Sequence, residues 1–262
     1  MPFPRAEDCG HESKAVQRRH RFYLQLLLIC LLLLGSFTLT LSLKLLITVG
    51  YTVMVLLLVL QLGRPVAALF RNRFRNLGYR ALGIAAITSH FIWLFTPLSH
   101  QSIGISMLLL WTLFLALSTL RLLEMLGQES VVNLRVLMGA VAGYLMLGLT
   151  AGLLLSGLET LHPGSFSGLH QAGDELMGTP DGGGLHSGKA WVDRFVRLNY
   201  FSFVTLTTTG YGDILAVSRP AMIATLLISV IGTIYIAVVL GLFISRYTGS
   251  QKGRKAEKDC DR

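Results

Sequence analysis

The sequence predicts an all-α membrane protein of six transmembrane helices, with a re-entrant segment between the fifth and the sixth. Three observations carry that prediction. Apolar residues make up 52% of the chain and charged residues only 14%, with a mean hydropathy of +0.59, whereas soluble domains carry about a quarter charged residues. No Lys, Arg, Asp or Glu falls in Phe22–Leu43, Leu45–Gly63, Ala81–Leu120, Val136–Leu158 or Pro220–Ser245. Finally, Trp191–Thr205 has helical spacing but is too short to cross a bilayer, and it runs into TTTGYGDI before the last apolar stretch.

A helix needs ~20 apolar residues to cross ~30 Å of hydrocarbon. Four of the uncharged stretches suit one crossing each. Ala81–Leu120 suits two, turning at Pro97–Ser102. The first stretch is longer than the core of a cleaved signal and lacks an A-x-A site, so it is read as a retained helix.

Orientation follows from the basic residues. Five lie in the leading tail, five between helices two and three, two flank the connection from helix four to helix five, and six lie at the far end. Eighteen of the 23 thus share one side, which is therefore cytoplasmic, and both termini lie there. The net charge of +9 is then a topology signal, and nucleic-acid binding is not needed to explain it. Cys9, Cys30 and Cys260 sit in cytoplasmic tails or inside a helix, where disulfides are not favoured.

Along the chain, residues 1–21 read as a loosely ordered cytoplasmic tail and 22–126 as a peripheral bundle, with helices near 22–43, 45–63, 81–97 and 103–123. Between helices two and three, Val66, Leu69, Phe70, Phe74 and Leu77 alternate with Arg71, Arg73 and Arg75. This predicts a short amphipathic helix in the interface, with anionic lipid as a partner at those arginines. Ordinary positive-inside flanking is the plainer reading. The fifth helix carries Gly139, Gly143, Gly148 and Gly152 on two opposite faces, which suits close packing on both sides. Residues 159–190 read as a flexible external loop. Its His162, His170 and His186 have no recognised metal-ligand spacing.

The chemistry concentrates at Thr205–Asp213. Irregular backbone survives at membrane depth only when buried in protein or lining water. Coordinating a dehydrated cation with stacked backbone carbonyls is a reason to keep it there. Such stacking needs alternating backbone handedness, which Gly210 and Gly212 tolerate. Thr208 can add its hydroxyl at the inner end, and the C-terminal dipole of the preceding helix favours a cation.

The pattern T-x-T-T-x-G-Y-G-D at Thr205–Asp213 resembles the signature of the tetrameric potassium channel superfamily, in its bacterial six-helix type. The resemblance spans the last two helices and the loop between them. It implies a pore domain at 132–248, with a pore helix at 191–205, a selectivity filter at 207–213 and an inner helix at 218–246. It further implies that Thr208, Thr209, Gly210, Tyr211 and Gly212 coordinate K+, the carbonyls of Thr208–Tyr211 and the Thr208 hydroxyl forming the sites. Tyr200, Phe201, Thr205, Thr207 and Asp213 would support the filter, and Gly232 falls at the inner-helix hinge position, although packing explains it equally well. Gly241 is a weaker hinge. Residues 249–262 form a cytoplasmic tail.

Some positions depart from the family pattern. Thr209 stands where Val is usual, and Tyr200-Phe201 where two tryptophans are common. Val204 stands where some members pair a glutamate with the aspartate. Phe201 cannot donate a hydrogen bond, which leaves Tyr200 as the side chain able to supply Asp213 with a hydroxyl.

The sequence does not supply a voltage sensor. Each moving charge couples only ~2.3 kcal/mol per 100 mV, so several are needed. The fourth helix has Arg121 alone, and no Asp or Glu occurs between Glu12 and Glu124. His90, mid-helix, is a candidate polar switch, or more plainly a histidine bonded to a neighbouring helix. The expected function is passive K+ conduction by a homotetramer in a bacterial inner membrane, with K+ as permeant ion and no cofactor. A potassium transporter subunit and a non-conducting regulatory subunit are the alternatives. No metal-ligand spacing, nucleophile elbow or phosphate-binding loop suggests an enzyme.

Overall fold

A computed structural model describes residues 6–37, 43–62, 73–95, 101–129, 133–169 and 188–249. Helices α1 (Ala6–Ser36), α2 (Leu43–Leu62), α3 (Arg73–Phe95), α4 (Gln101–Gly127) and α5 (Leu134–Leu161) follow in order. Strand β1 (Phe166–Ser167), α6 (Gly188–Leu206), β2 (Leu215–Ala216) and α7 (Arg219–Ile234) complete the chain. Beyond α7 the helix widens into a π turn at Tyr235–Leu240, then regains α geometry over 241–249. Among the described residues, Arg19–Ser36, Ser106–Gly127, Leu134–Leu161 and Arg219–Gly249 are long and apolar enough to cross a membrane. The apolar part of α2, Ile47–Leu62, is shorter.

Helix α5 is the hub, packing on α1 and α4 and also on α6 and α7. Its glycines explain why. A side chain at Gly139 would strike the Tyr23 ring and Leu126, whereas Gly148 and Gly152 lie against Phe203 and Asn199 of α6. Gly143 admits the Tyr235 hydroxyl, which donates to the Ala140 carbonyl at 2.7 Å. The face of Gly148 and Gly152 thus meets α6, while the face of Gly139 and Gly143 meets α1 and α4 and also Tyr235 of the last helix.

Two expectations are corrected. Residues 6–21 are not loosely ordered: α1 begins at Ala6 and runs unbroken into the membrane span. Arg19 then pairs with Glu129 at 3.2 Å, and Glu129 also accepts a bond from Tyr23 at 3.3 Å.

Arg73–Arg80, expected as part of a short interfacial helix, is instead the first described part of α3, and Val66, Leu69 and Phe70 lie outside the described residues. Tyr79 is the reason: its ring stacks on Phe114 at 5.0 Å and its hydroxyl bonds Ser118 at 2.8 Å, which draws this stretch onto α4. Arg73 and Arg75 lie in that helical stretch, and Arg71 lies outside the described residues. The tail 249–262 lies outside them beyond Gly249.

Candidate functional site

Helix α6 ends at Leu206, and three backbone bonds fold the following residues back onto it. The amides of Thr207, Thr208 and Thr209 donate to the carbonyls of Phe203 (2.9 Å), Thr205 (3.0 Å) and Val204 (2.9 Å). Thr205 and Val204 therefore support the segment through their backbone. The Thr207 and Thr209 hydroxyls bond each other at 2.8 Å, and the Thr208 hydroxyl donates to the Thr207 carbonyl at 2.7 Å. Thr208, Gly210 and Gly212 have φ of 58°, 60° and 79°. Left-handed residues thus alternate along the segment, which turns successive peptide planes over. Glycine permits this at two of the places, and Thr208 adopts it despite its branched Cβ. The whole of 207–213 is exposed, Tyr211 at 70%.

The support behind the segment differs from the sequence expectation at Phe201. That ring is buried and packs edge-on against Phe166 at 5.7 Å, so it belongs to the outer core and makes no polar contact with the segment. Tyr200 stands on the other face of α6, beside Asp213. Desolvation and that carboxylate hold the phenol proton more firmly than in an ordinary tyrosine.

Residues 162–169 are not a formless loop, as the sequence reading expected. The Glu159 carboxylate accepts the amides of Gly164 (2.9 Å) and Phe166 (3.2 Å). This sets up β1, which pairs antiparallel with β2: Phe166 opposite Ala216 and Ser167 opposite Leu215. The exit from the 207–213 segment is thereby stitched to the end of α5. Gly168, at φ 83°, lies against the Asp213 carbonyl, where a Cβ would overlap it. The Ser218 hydroxyl caps α7 at Ala221 and donates to Ser165 at 3.0 Å. The loop histidines His170 and His186 lie outside the described residues, and His162 caps the end of α5.

From the membrane interior, Tyr144 donates to the Leu206 carbonyl at 3.2 Å. Gly232 touches the same residue: a Cβ there would overlap the Leu206 carbonyl. Close packing of α7 on α6 is therefore what this glycine provides, while the irregularity in the helix comes at the π turn three residues later. Gly241, next to that turn, is open, and a Cβ there would lie 3.9 Å from the Ile236 carbonyl. Outside Ala221, Ile228 and Gly232, α7 is poorly covered, and Met222, Ile223, Leu226 and Leu227 are all more than half exposed.

These elements coincide with the one family resemblance found. Residues 182–249 match the family model described as an ion channel. No curated protein and no solved structure matches the chain. The ion-channel match takes in α6, the alternating segment and α7 together, and with the long apolar helices it supports an ion-transport subunit in a membrane.

Asn199, Gly168, Glu159 and Tyr144 carry no motif and escaped the sequence reading. A buried Asn inside a short amphipathic helix, and an acid closing an apolar helix before a Gly-rich stretch, were the available signals.

Proposed function

We propose that the chain is one subunit of a potassium-selective channel, in which four copies bring Thr208–Gly212 together around a common axis. The observation that carries this is the alternation of left-handed backbone at Thr208, Gly210 and Gly212 within TTTGYGD. Four such segments facing one another present rings of carbonyl oxygens, which replace the water shell of a K+ ion. Thr208, Thr209, Gly210 and Tyr211 supply those oxygens, Thr208 adding its hydroxyl. Thr205, Thr207, Tyr200 and Asp213 hold the segment from behind.

Two further features support the assembly. The segment is exposed in the single chain, and the Arg219–Gly249 span is only 22% buried. An apolar helix left so open is suited to meeting neighbouring copies on one side and lipid on the other. The described residues hold one such segment per chain, so closing a ring takes several chains. The membrane is a bacterial inner membrane, both termini lie on its cytoplasmic side, and anionic lipid meets Arg71, Arg73 and Arg75. No cofactor or nucleic acid takes part.

Reconstitution into liposomes tests the proposal. A K+ gradient should drive rapid flux and a Na+ gradient very little, with the particle mass in detergent corresponding to four chains. Equal K+ and Na+ flux, or a monomeric particle with full activity, would overturn it.

A further inference from the structure

The peripheral helices touch α6 directly, at a point the ion path does not itself explain. Asn199 is fully buried on the face of α6 that packs on α5. Its Nδ2 donates to the Phe195 carbonyl at 2.9 Å, and its Oδ1 accepts from the Tyr51 hydroxyl of α2 at 3.3 Å. The Tyr51 ring packs edge-on against Phe195 at 5.8 Å. On its other side it meets Trp111 of α4 at 5.7 Å. Trp111 is fixed in turn by donating Nε1–H to the Ala86 carbonyl of α3 at 2.9 Å. Phe37, at the end of α1, closes on Phe195 at 6.4 Å. Opposite Tyr51, Gly152 of α5 lets the Asn199 amide sit flush against that helix.

Helix α6 is thus gripped between α5 and the peripheral bundle at Asn199. One residue further stands Tyr200, beside Asp213. About one turn further, the carbonyls of Phe203, Val204 and Thr205 receive the amides of 207–209. A shift or roll of α6 is passed to the alternating segment through those bonds.

We propose that Tyr51 is a positioning residue for the proposed filter: by holding Asn199 and Phe195 it sets the seat of α6, so the peripheral bundle acts on the ion path at the filter. The inference rests on the channel reading given above. Selectivity depends on the placement of carbonyl rings, so a loosened seat should change ion discrimination. A bundle that only held the protein in the membrane would leave discrimination alone.

The test compares full-length protein in liposomes with Tyr51→Phe and Tyr79→Phe. Each variant loses one buried hydroxyl bond, to Asn199 on α6 and to Ser118 within the bundle respectively. The readouts are the K+ to Na+ permeability ratio and amide hydrogen exchange over 199–209. Tyr51→Phe should lower the ratio by roughly two- to ten-fold, the weight of one net hydrogen bond, and speed exchange at 199–209. Tyr79→Phe should change neither. Should Tyr51→Phe fail to assemble, Asn199→Ala, which removes the acceptor, carries the same two expectations. If the unmodified protein conducts no K+, the channel reading fails and the exchange comparison decides the positioning claim by itself. Unchanged exchange in Tyr51→Phe, or equal changes in both tyrosine variants, would overturn it.

Discussion

The Arg121 guanidinium lies 3.9 Å over the Tyr79 ring, and its Nη1 donates to the Leu62 carbonyl at 3.0 Å. One buried side chain therefore ties the ends of α2 and α4 to the start of α3. A cation suits the C-terminal carbonyls of α2, whose last turn has no intrahelical donors left.

This geometry sharpens the expectation about voltage. Arg121 is pinned, and a pinned charge does not move through the field. Arg121→Gln should leave the conductance–voltage relation as shallow as before while lowering stability by about 1–3 kcal/mol, through a lost charged hydrogen bond and a lost cation–π contact. Voltage-clamp recording and denaturant unfolding in detergent measure the two effects. A steep relation, equivalent to several gating charges and abolished by this variant, would sink the idea. If the relation is steep but survives Arg121→Gln, neutralising Arg71, Arg73 and Arg75 together shows whether those residues carry the charge.

The strand pairing outside the segment gives a second prediction. Gly164 and Gly168 both have left-handed φ, 82° and 83°. Around Gly164 there is open space, whereas Gly168 abuts the Asp213 carbonyl. Gly164→Ala should carry only the conformational cost, about 1–2 kcal/mol. Gly168→Ala should cost more and also displace Asp213, so that K+ over Na+ discrimination falls in the second variant alone. Flux assays on the pair check the order, and equal behaviour would show that the stitch is irrelevant to ion passage.

Gly212→Ala should abolish K+ selectivity or conduction. No neighbouring atom lies within 4 Å of a Cβ built there in the single chain, so no clash within the chain explains the effect. What opposes it is the φ of 79°, which an alanine adopts only at a cost of about 1–2 kcal/mol in each chain. Unchanged discrimination in this variant would place the ion-coordinating segment elsewhere.

Gly232→Ala separates packing from hinging. The added methyl meets the Leu206 carbonyl, backbone that cannot swing aside, so overpacking should cost about 1–3 kcal/mol and push α7 from α6. Thermal unfolding in detergent and K+ flux should both suffer. A variant of normal stability with altered open probability alone would instead favour the hinge.

By itself the sequence determined that the chain is helical, with helices long and apolar enough to cross a membrane. Uncharged runs longer than a bilayer's thickness leave the backbone little choice but helix, and TTTGYGD with its two glycines marks where regular structure must stop. The opposed glycine faces of α5 were also legible, since helical spacing alone places Gly139 and Gly148 on opposite sides.

Tertiary structure decided what those patterns touch. Arg73–Arg80 packs on α4 as part of α3 because Tyr79 finds Phe114 and Ser118, a contact between residues far apart in the chain. Residues 162–169 are ordered because Glu159 and the strand after Asp213 arrive beside them. Thr208 takes a left-handed φ that its β-branched side chain would not choose alone, held there by the Thr205 carbonyl. Asn199 became important only once Tyr51 and Gly152 closed on it from two helices. Such pairings depend on which side chains meet across elements, and local periodicity holds no record of that.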